Sequence, residues 1–167
     1  MRLKFRQSKN EEIDIALSLL KQAAQKLKDN NINQWAFWLD PPDDKIDWIK
    51  KGFENNEFFF VETDHKEIVA MFRLSEKDEM YWGNQNDDAY YIHSLVVDKN
   101  FSGKKIGIQI IQLIESLLLD KGIFKLRLDC NASNLVLCNY YEMQGFVKVG
   151  EKQMPHSLNN LFEKSLL

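Results

Sequence analysis

With 167 residues the chain fits one domain, which takes roughly 100–200 residues, and it can bury a core of ordinary size. Its 25 acidic against 22 basic residues leave a net charge of -3, which argues against a nucleic-acid module with its basic stripe. Apolar residues at 44% and charged residues at 28% match ordinary soluble usage. Leu3 to Arg6 reads as a short strand. Ser8 stands three residues before Glu11, the spacing of a capping box. Ile13, Ala16, Leu17, Leu20, Ala23, Ala24 and Leu27 then recur at helical spacing and predict a helix over 11–28. After Pro41-Pro42, a second helix near 43–55 carries Ile46, Ile49 and Phe53 on one side.

Phe58–Val61 and Ile68–Phe72 flank the polar turn Thr63-Asp64-His65-Lys66, a hairpin pattern. Tyr90–Val97 is apolar on both pleat faces except at His93 and Ser94, as in a central, covered strand. A helix over 104–120 shows the stripe Ile106, Ile110, Leu113 and Leu117 and ends at Gly122. Gln109, Gln112, Glu115 and Ser116 interrupt its apolar run, so no bilayer span is expected. A strand at 124–128 and a short helix at 134–144 follow, with Gly145 as the left-handed residue past its end. Segments 146–149 and 161–167 read as closing strands. This order predicts an α/β (α+β) fold, a mixed sheet of about seven strands flanked by about four helices, in one domain over 1–167. Cys130 and Cys138 are too few for a disulfide framework, and Met-Arg-Leu-Lys-Phe-Arg lacks the apolar part of a signal peptide; a cytoplasmic protein is expected.

The chemistry concentrates in Tyr90–Phe146. A buried strand runs into Asp98-Lys99-Asn100-Phe101-Ser102-Gly103 and then a helix start, whose free N–H groups and positive dipole end suit a phosphate. Gly103 and Gly107 allow close approach to the backbone. Further on, Leu126–Asn134 leads into Tyr140-Tyr141-Glu142-Met143-Gln144-Gly145-Phe146. Together the halves resemble the GNAT superfamily of acetyl-CoA-dependent N-acetyltransferases. The family's strand ending in V-D/H-P and its R/Q-x-x-G-x-G/A loop are matched by Val97-Asp98 and Ser102-Gly103-Lys104-Lys105-Ile106-Gly107. Its N…YE-x-x-GF helix is matched by Asn134, Tyr141-Glu142 and Gly145-Phe146. Two positions depart: Ser102 replaces the usual Arg or Gln, and Lys105 the usual first Gly.

The resemblance implies a mostly antiparallel sheet with splayed central strands after a bulge near Leu95. It also implies acetyl-CoA as co-substrate, held by Leu95, Val96, Val97, Ser102, Gly103, Lys104, Lys105, Ile106, Gly107, Ile108, Asn134 and Tyr141. Tyr141 would be the general acid for the departing thiolate. Two groups compete for the base: Asp129 at its strand end, where ribosomal-protein N-acetyltransferases carry a glutamate, and His93, whose imidazole suits proton transfer. Trp35 and Trp38 form either an acceptor-pocket wall or core packing. Asp43-Asp44 and Asp87-Asp88 read as cap or solvated charges, and no His/Cys spacing fits zinc, so no metal is expected. The expected partner is a small-molecule or peptide amine, with no nucleic acid and no membrane; a homodimer is left open. A CoA-binding sensor without catalysis is the alternative from another class, and a mononucleotide-binding domain ranks last because the turn lacks G-K-S/T.

Overall fold

Seven strands and five helices account for these patterns in a computed structural model that describes residues 1–167. In chain order they are β1 (Leu3–Gln7), α1 (Ile13–Asp29), α2 (Asp43–Glu54), β2 (Phe58–Thr63), β3 (Ile68–Ser75), α3 (Glu79–Trp82) and β4 (Tyr90–Val97). Then come α4 (Ile106–Asp120), β5 (Lys125–Asn131), α5 (Leu135–Met143), β6 (Val147–Met154) and β7 (Ser157–Ser165). The strand order is β1-β2-β3-β4-β5-β7-β6. The pairs β1/β2, β2/β3, β5/β7 and β6/β7 are antiparallel, and β4/β5 is parallel. This is the mixed, mostly antiparallel sheet expected, with the four-residue α3 as an extra helix. The chain forms two compact units: Met1–Leu74 with Ser94–Ile110, and Ser75–His93 with Ile111–Leu167.

The first unit is built around α1, which buries Ala16, Leu19, Leu20 and Ala24 among Ile49, Phe53, Phe58, Phe60 and Met71. The helix entry differs from the expected Ser8/Glu11 box. Glu12 reaches back instead, its carboxylate accepting the Lys9 N–H at 2.8 Å while Arg6 grips both its oxygens. A short 3-10 turn at Asn10–Glu12 shifts the box by one residue. In α2, Gly52 is required by contact: a Cβ there would stand 2.4 Å from the Phe58 ring. That lets Phe53 stack on Phe58 at 4.8 Å between centroids.

In the second unit β5 pairs with β7 over its whole length, from Lys125↔Ser165 to Asn131↔Asn159. Arg127, 4% exposed, is held by Asp87 (2.9 and 2.7 Å), Glu163 (2.8 Å) and the Tyr91 hydroxyl (2.8 Å). Asp87, exposed as expected, is also the anchor of a buried guanidinium. Helix α4 buries Ile106, Ile110, Ile111, Ile114 and Leu118, while Leu113 and Leu117 are half-buried. Burial follows the i, i+4 row, so the face is rotated from the predicted stripe. The last hairpin is longer than predicted because β6 is almost wholly exposed and shows no apolar alternation.

Candidate active site

The phosphate-type turn belongs to the first unit. Within β4, Ser94 takes φ +51, a left-handed excursion one residue before Leu95, where a bulge is expected. After Val97 the chain turns sharply. The Asp98 N–H donates to Val69 O at 2.8 Å, and the Asp98 side chain accepts from the Asn100 N–H at 2.8 Å. Ser102, Gly103, Lys104 and Lys105 are exposed, and α4 starts at Ile106. The Gln109 N–H donates to Lys105 O at 3.3 Å, so the N–H groups of Ile106, Gly107 and Ile108 are among the donors a helix start leaves without a helical partner.

Both sequence departures have a structural account. Gly103 has φ +79, and a Cβ there would point into open space. Lys105 has φ +57, the left-handed conformation that glycine adopts without cost and other residues at about 1 kcal/mol or more. The family's glycine preference is thus met here by a strained lysine. Ser102 carries no charge, but its Oγ accepts from Lys26 Nζ at 3.1 Å, which brings a cation from α1 to the turn. Lys104 lies over the Phe101 ring at 4.9 Å. Exposed backbone, a helix start and lysines fit a pyrophosphate, which needs N–H donors and positive charge.

The candidate proton-handling groups belong to the second unit. His93 on β4 lies between two carboxylates: Nε2 is 3.2 Å from Asp78 Oδ2, and Nδ1 is 3.8 Å from Asp129 Oδ1. Asp129 on β5 is held by the Asn159 side-chain amide, which donates to Oδ2 at 2.8 Å. Burial pushes the Asp129 carboxyl above its ordinary value, opposed by the nearby imidazole and the Asn159 hydrogen bond. Tyr81 completes the enclosure, its ring tilted against the imidazole at 6.4 Å. Burial, then Asp129 and Asp78, raise its phenol to about 12. Ligand-type atoms of Asp78, His93 and Asp129 lie within 4.8 Å of one another, as a cation site requires. The imidazole, however, offers a different nitrogen to each carboxylate, an arrangement better suited to passing protons than to converging on one ion.

Tyr141 is 8% exposed and packs against Tyr140, Phe146 and Phe162. Burial drives its phenol far above the ordinary value, with Cys130, Tyr140 and Asp129 adding to the effect. It therefore stays protonated and a donor. Cys130 and Cys138 are free, buried thiols with Sγ atoms 3.4 Å apart. Asn134, 5% exposed, spends its side-chain oxygen on α5, accepting the Leu137 N–H at 3.1 Å. A cavity of about 360 Å³ has Glu76, Asp78, Glu79, Asp87 and Asp88 on its wall, and Lys77 as its one cation.

The tryptophans divide. Trp38 is 5% exposed within the α1 core, so it is packing and not a pocket wall. Trp35, at φ +62, is partly buried against that core. Asp43 and Asp44 occupy the first turn of α2, as cap charges do. The sequence reading missed Asp78, Tyr81, Asn159 and Lys26. Asp78 had one signal, an N-cap residue followed by Glu79, but four helical residues show no apolar period.

Residues 20–146 match the Acetyltransferase (GNAT) family, and the chain belongs to that family. An N-acetyltransferase of Bacillus subtilis (strain 168) called YesJ, itself uncharacterized, is 29% identical over 161 residues, covering 93% of this chain and 86% of its own. A GNAT acetyltransferase structure from Listeria monocytogenes 4b F2365 superimposes with a TM-score of 0.80 at 26% identity, covering 98% of this chain and 94% of that one. The PaiA N-acetyltransferase of Thermoplasma acidophilum, solved in complex with coenzyme A, has the same fold (TM-score 0.62, 17% identity, 99% of both chains). No helix is long and apolar enough to cross a membrane.

Proposed function

We propose that this acetyltransferase moves an acetyl group from acetyl-CoA directly to a primary amine bound beside it, and that the favoured amine is a cationic small molecule. The observation that carries the reading is the His93–Asp129 pair, two proton acceptors facing each other across 3.8 Å. That gap is too long for a direct hydrogen bond. A primary ammonium, with three N–H donors, bridges two such groups. Asp78, which this cluster shares with the acidic cavity wall, favours the same charge, although His93 and Asp129 do not line that cavity.

The roles follow from the chemistry. An alkylamine has pKa ~10.4, so it arrives as ammonium and must lose a proton before it can attack. His93 and Asp129 take that proton. Backbone N–H groups of Leu95–Val97 meet the negative charge that develops on the thioester oxygen as the C–N bond forms. The C–S bond then breaks, and Tyr141 donates its proton to the thiolate. Ser102–Ile108 and Lys26 hold the pyrophosphate when the co-substrate is bound, and its amides pair with β4 backbone. Asn134 caps α5 through one lone pair of its side-chain oxygen and helps to hold the pantetheine arm of the co-substrate. Trp35 is the remaining candidate for the acceptor wall.

Thermal denaturation with and without acetyl-CoA tests the binding half. A ligand that binds only the folded state adds about 2.7 kcal/mol at a hundredfold excess over Kd. No shift at millimolar acetyl-CoA or CoA would remove the foundation of this reading. Binding without thiol release against any amine would favour the sensor alternative.

A further inference from the structure

We propose that Asp78 is a positioning residue for His93: it holds the proton on Nε2 and so leaves Nδ1 as the nitrogen that accepts a proton. The proposal rests on the reading of His93 and Asp129 as the base pair and names the group that sets its polarity.

Asp78 Oδ2 lies 3.2 Å from His93 Nε2, and the Asp78 side chain is 5% exposed. The approach is not aligned as a full hydrogen bond, which is common before substrate is bound. A buried carboxylate oxygen is costly to leave without a donor, and His93 Nε2 lies within reach of it at 3.2 Å. A neutral imidazole has one N–H, so a proton fixed on Nε2 puts the lone pair on Nδ1, toward Asp129. The other tautomer would leave Nε2 and the Asp78 carboxylate as two acceptors in contact.

Asp78 is itself rigidly placed. Its Oδ1 caps α3 by accepting the Tyr81 N–H at 3.2 Å, and its carbonyl accepts the Trp82 N–H at 2.9 Å. The four-residue α3 thus has a use: it fixes Asp78 at one nitrogen and Tyr81 against the ring face. Titratable groups facing His93 include Asp78 and Tyr81 from the α3 segment and Asp129 from β5. Neutral Asn159 from β7 stands behind Asp129.

The test is Asp78→Asn, read by long-range proton–nitrogen NMR of the imidazoles, with His93→Gln used to assign the signal among the three histidines. Asn caps helices as well as Asp does, so α3 is kept while the charge is lost. In the wild type the Nε2–H tautomer is expected. In Asp78→Asn the tautomers mix, because the charged acceptor that held the proton on Nε2 is gone. With a known acceptor, kcat falls at least ~10-fold, and KM for acetyl-CoA is unchanged. Asp78→Glu restores part of the wild-type tautomer. If Asp78→Asn does not fold, Asp78→Ser, another cap residue without charge, takes its place. An Nδ1–H tautomer in the wild type, or an unchanged tautomer in the variant, would make Asp78 a cap only. The NMR result needs no acetyl transfer, so the proposal and the enzymatic reading can fail separately.

Discussion

His93 Nδ1 and Asp129 Oδ1 face each other at 3.8 Å, one on β4 and one on β5. They are a pair, where the sequence offered them as competitors. If they share one proton-accepting task, their substitutions will not add. His93→Gln and Asp129→Asn should each lower kcat by about 10²–10⁴, and the double variant should be little worse than the poorer single one. A double-mutant cycle measures this, and full additivity would assign the two residues to separate steps.

Asp129 should cost the fold stability at neutral pH. Burial raises its carboxyl above 3.8, so on raising the pH the unfolded chain releases this proton first. Stability from this group is then present below about pH 4 and declines as pH rises through the higher folded value. Asp129→Asn removes the buried charge and keeps a partner for Asn159. Its Tm should equal or exceed that of the wild type at pH 7–8 and lose that advantage near pH 3, although its activity is low. A lower Tm at pH 7–8, measured by calorimetry, would show that the His93 and Asn159 contacts outweigh burial.

The turn proposed to hold the cofactor gives two opposite expectations. Lys26→Ala should weaken CoA binding several-fold and flatten its salt dependence, because a cation at the turn is lost. Lys105→Gly should raise stability slightly, by up to about 1 kcal/mol, since φ +57 no longer strains a side chain. Titration calorimetry and urea unfolding report the two quantities separately. Unchanged affinity in Lys26→Ala would leave the 3.1 Å contact with Ser102 without a role in binding.

How much was legible follows from what each element shows to a periodicity. Strand Phe58–Thr63 buries most of its side chains and Tyr90–Val97 leaves none fully exposed, and both announced themselves. So did the turn at 102–107, because its chemistry lies in contiguous residues. Edge strand β6 exposes nearly every residue and so carries no apolar pattern. The cluster proposed as the base was half visible: His93 and Asp129 stand out as polar groups in apolar strands, whereas Asp78 is fifteen residues from His93 in a loop-like stretch. Lys26 looks like any exposed helix lysine until the fold brings it to Ser102. Trp38 could be settled only by burial, since packing and pocket walls use the same residue type.

Tyr141→Phe removes one oxygen and keeps the ring contacts with Tyr140, Phe146 and Phe162. Stability should barely change. A drop in kcat of about 10²–10⁴ with an unmoved KM for acetyl-CoA is expected if the phenol protonates the thiolate. Thiolate is a tolerable leaving group, which places the loss toward the low end. A risen KM with kcat preserved would make Tyr141 an anchor for the co-substrate.

The most direct measurement is release of free CoA thiol from acetyl-CoA against a panel of primary amines, with mass spectrometry of the amine. The account predicts amine-dependent release, strongest with cationic small molecules, with one acetyl group gained by the amine at nitrogen and the rate falling as the amine's environment becomes acidic. Tight acetyl-CoA binding with no thiol released by any amine, or equal release with amine omitted, would contradict it.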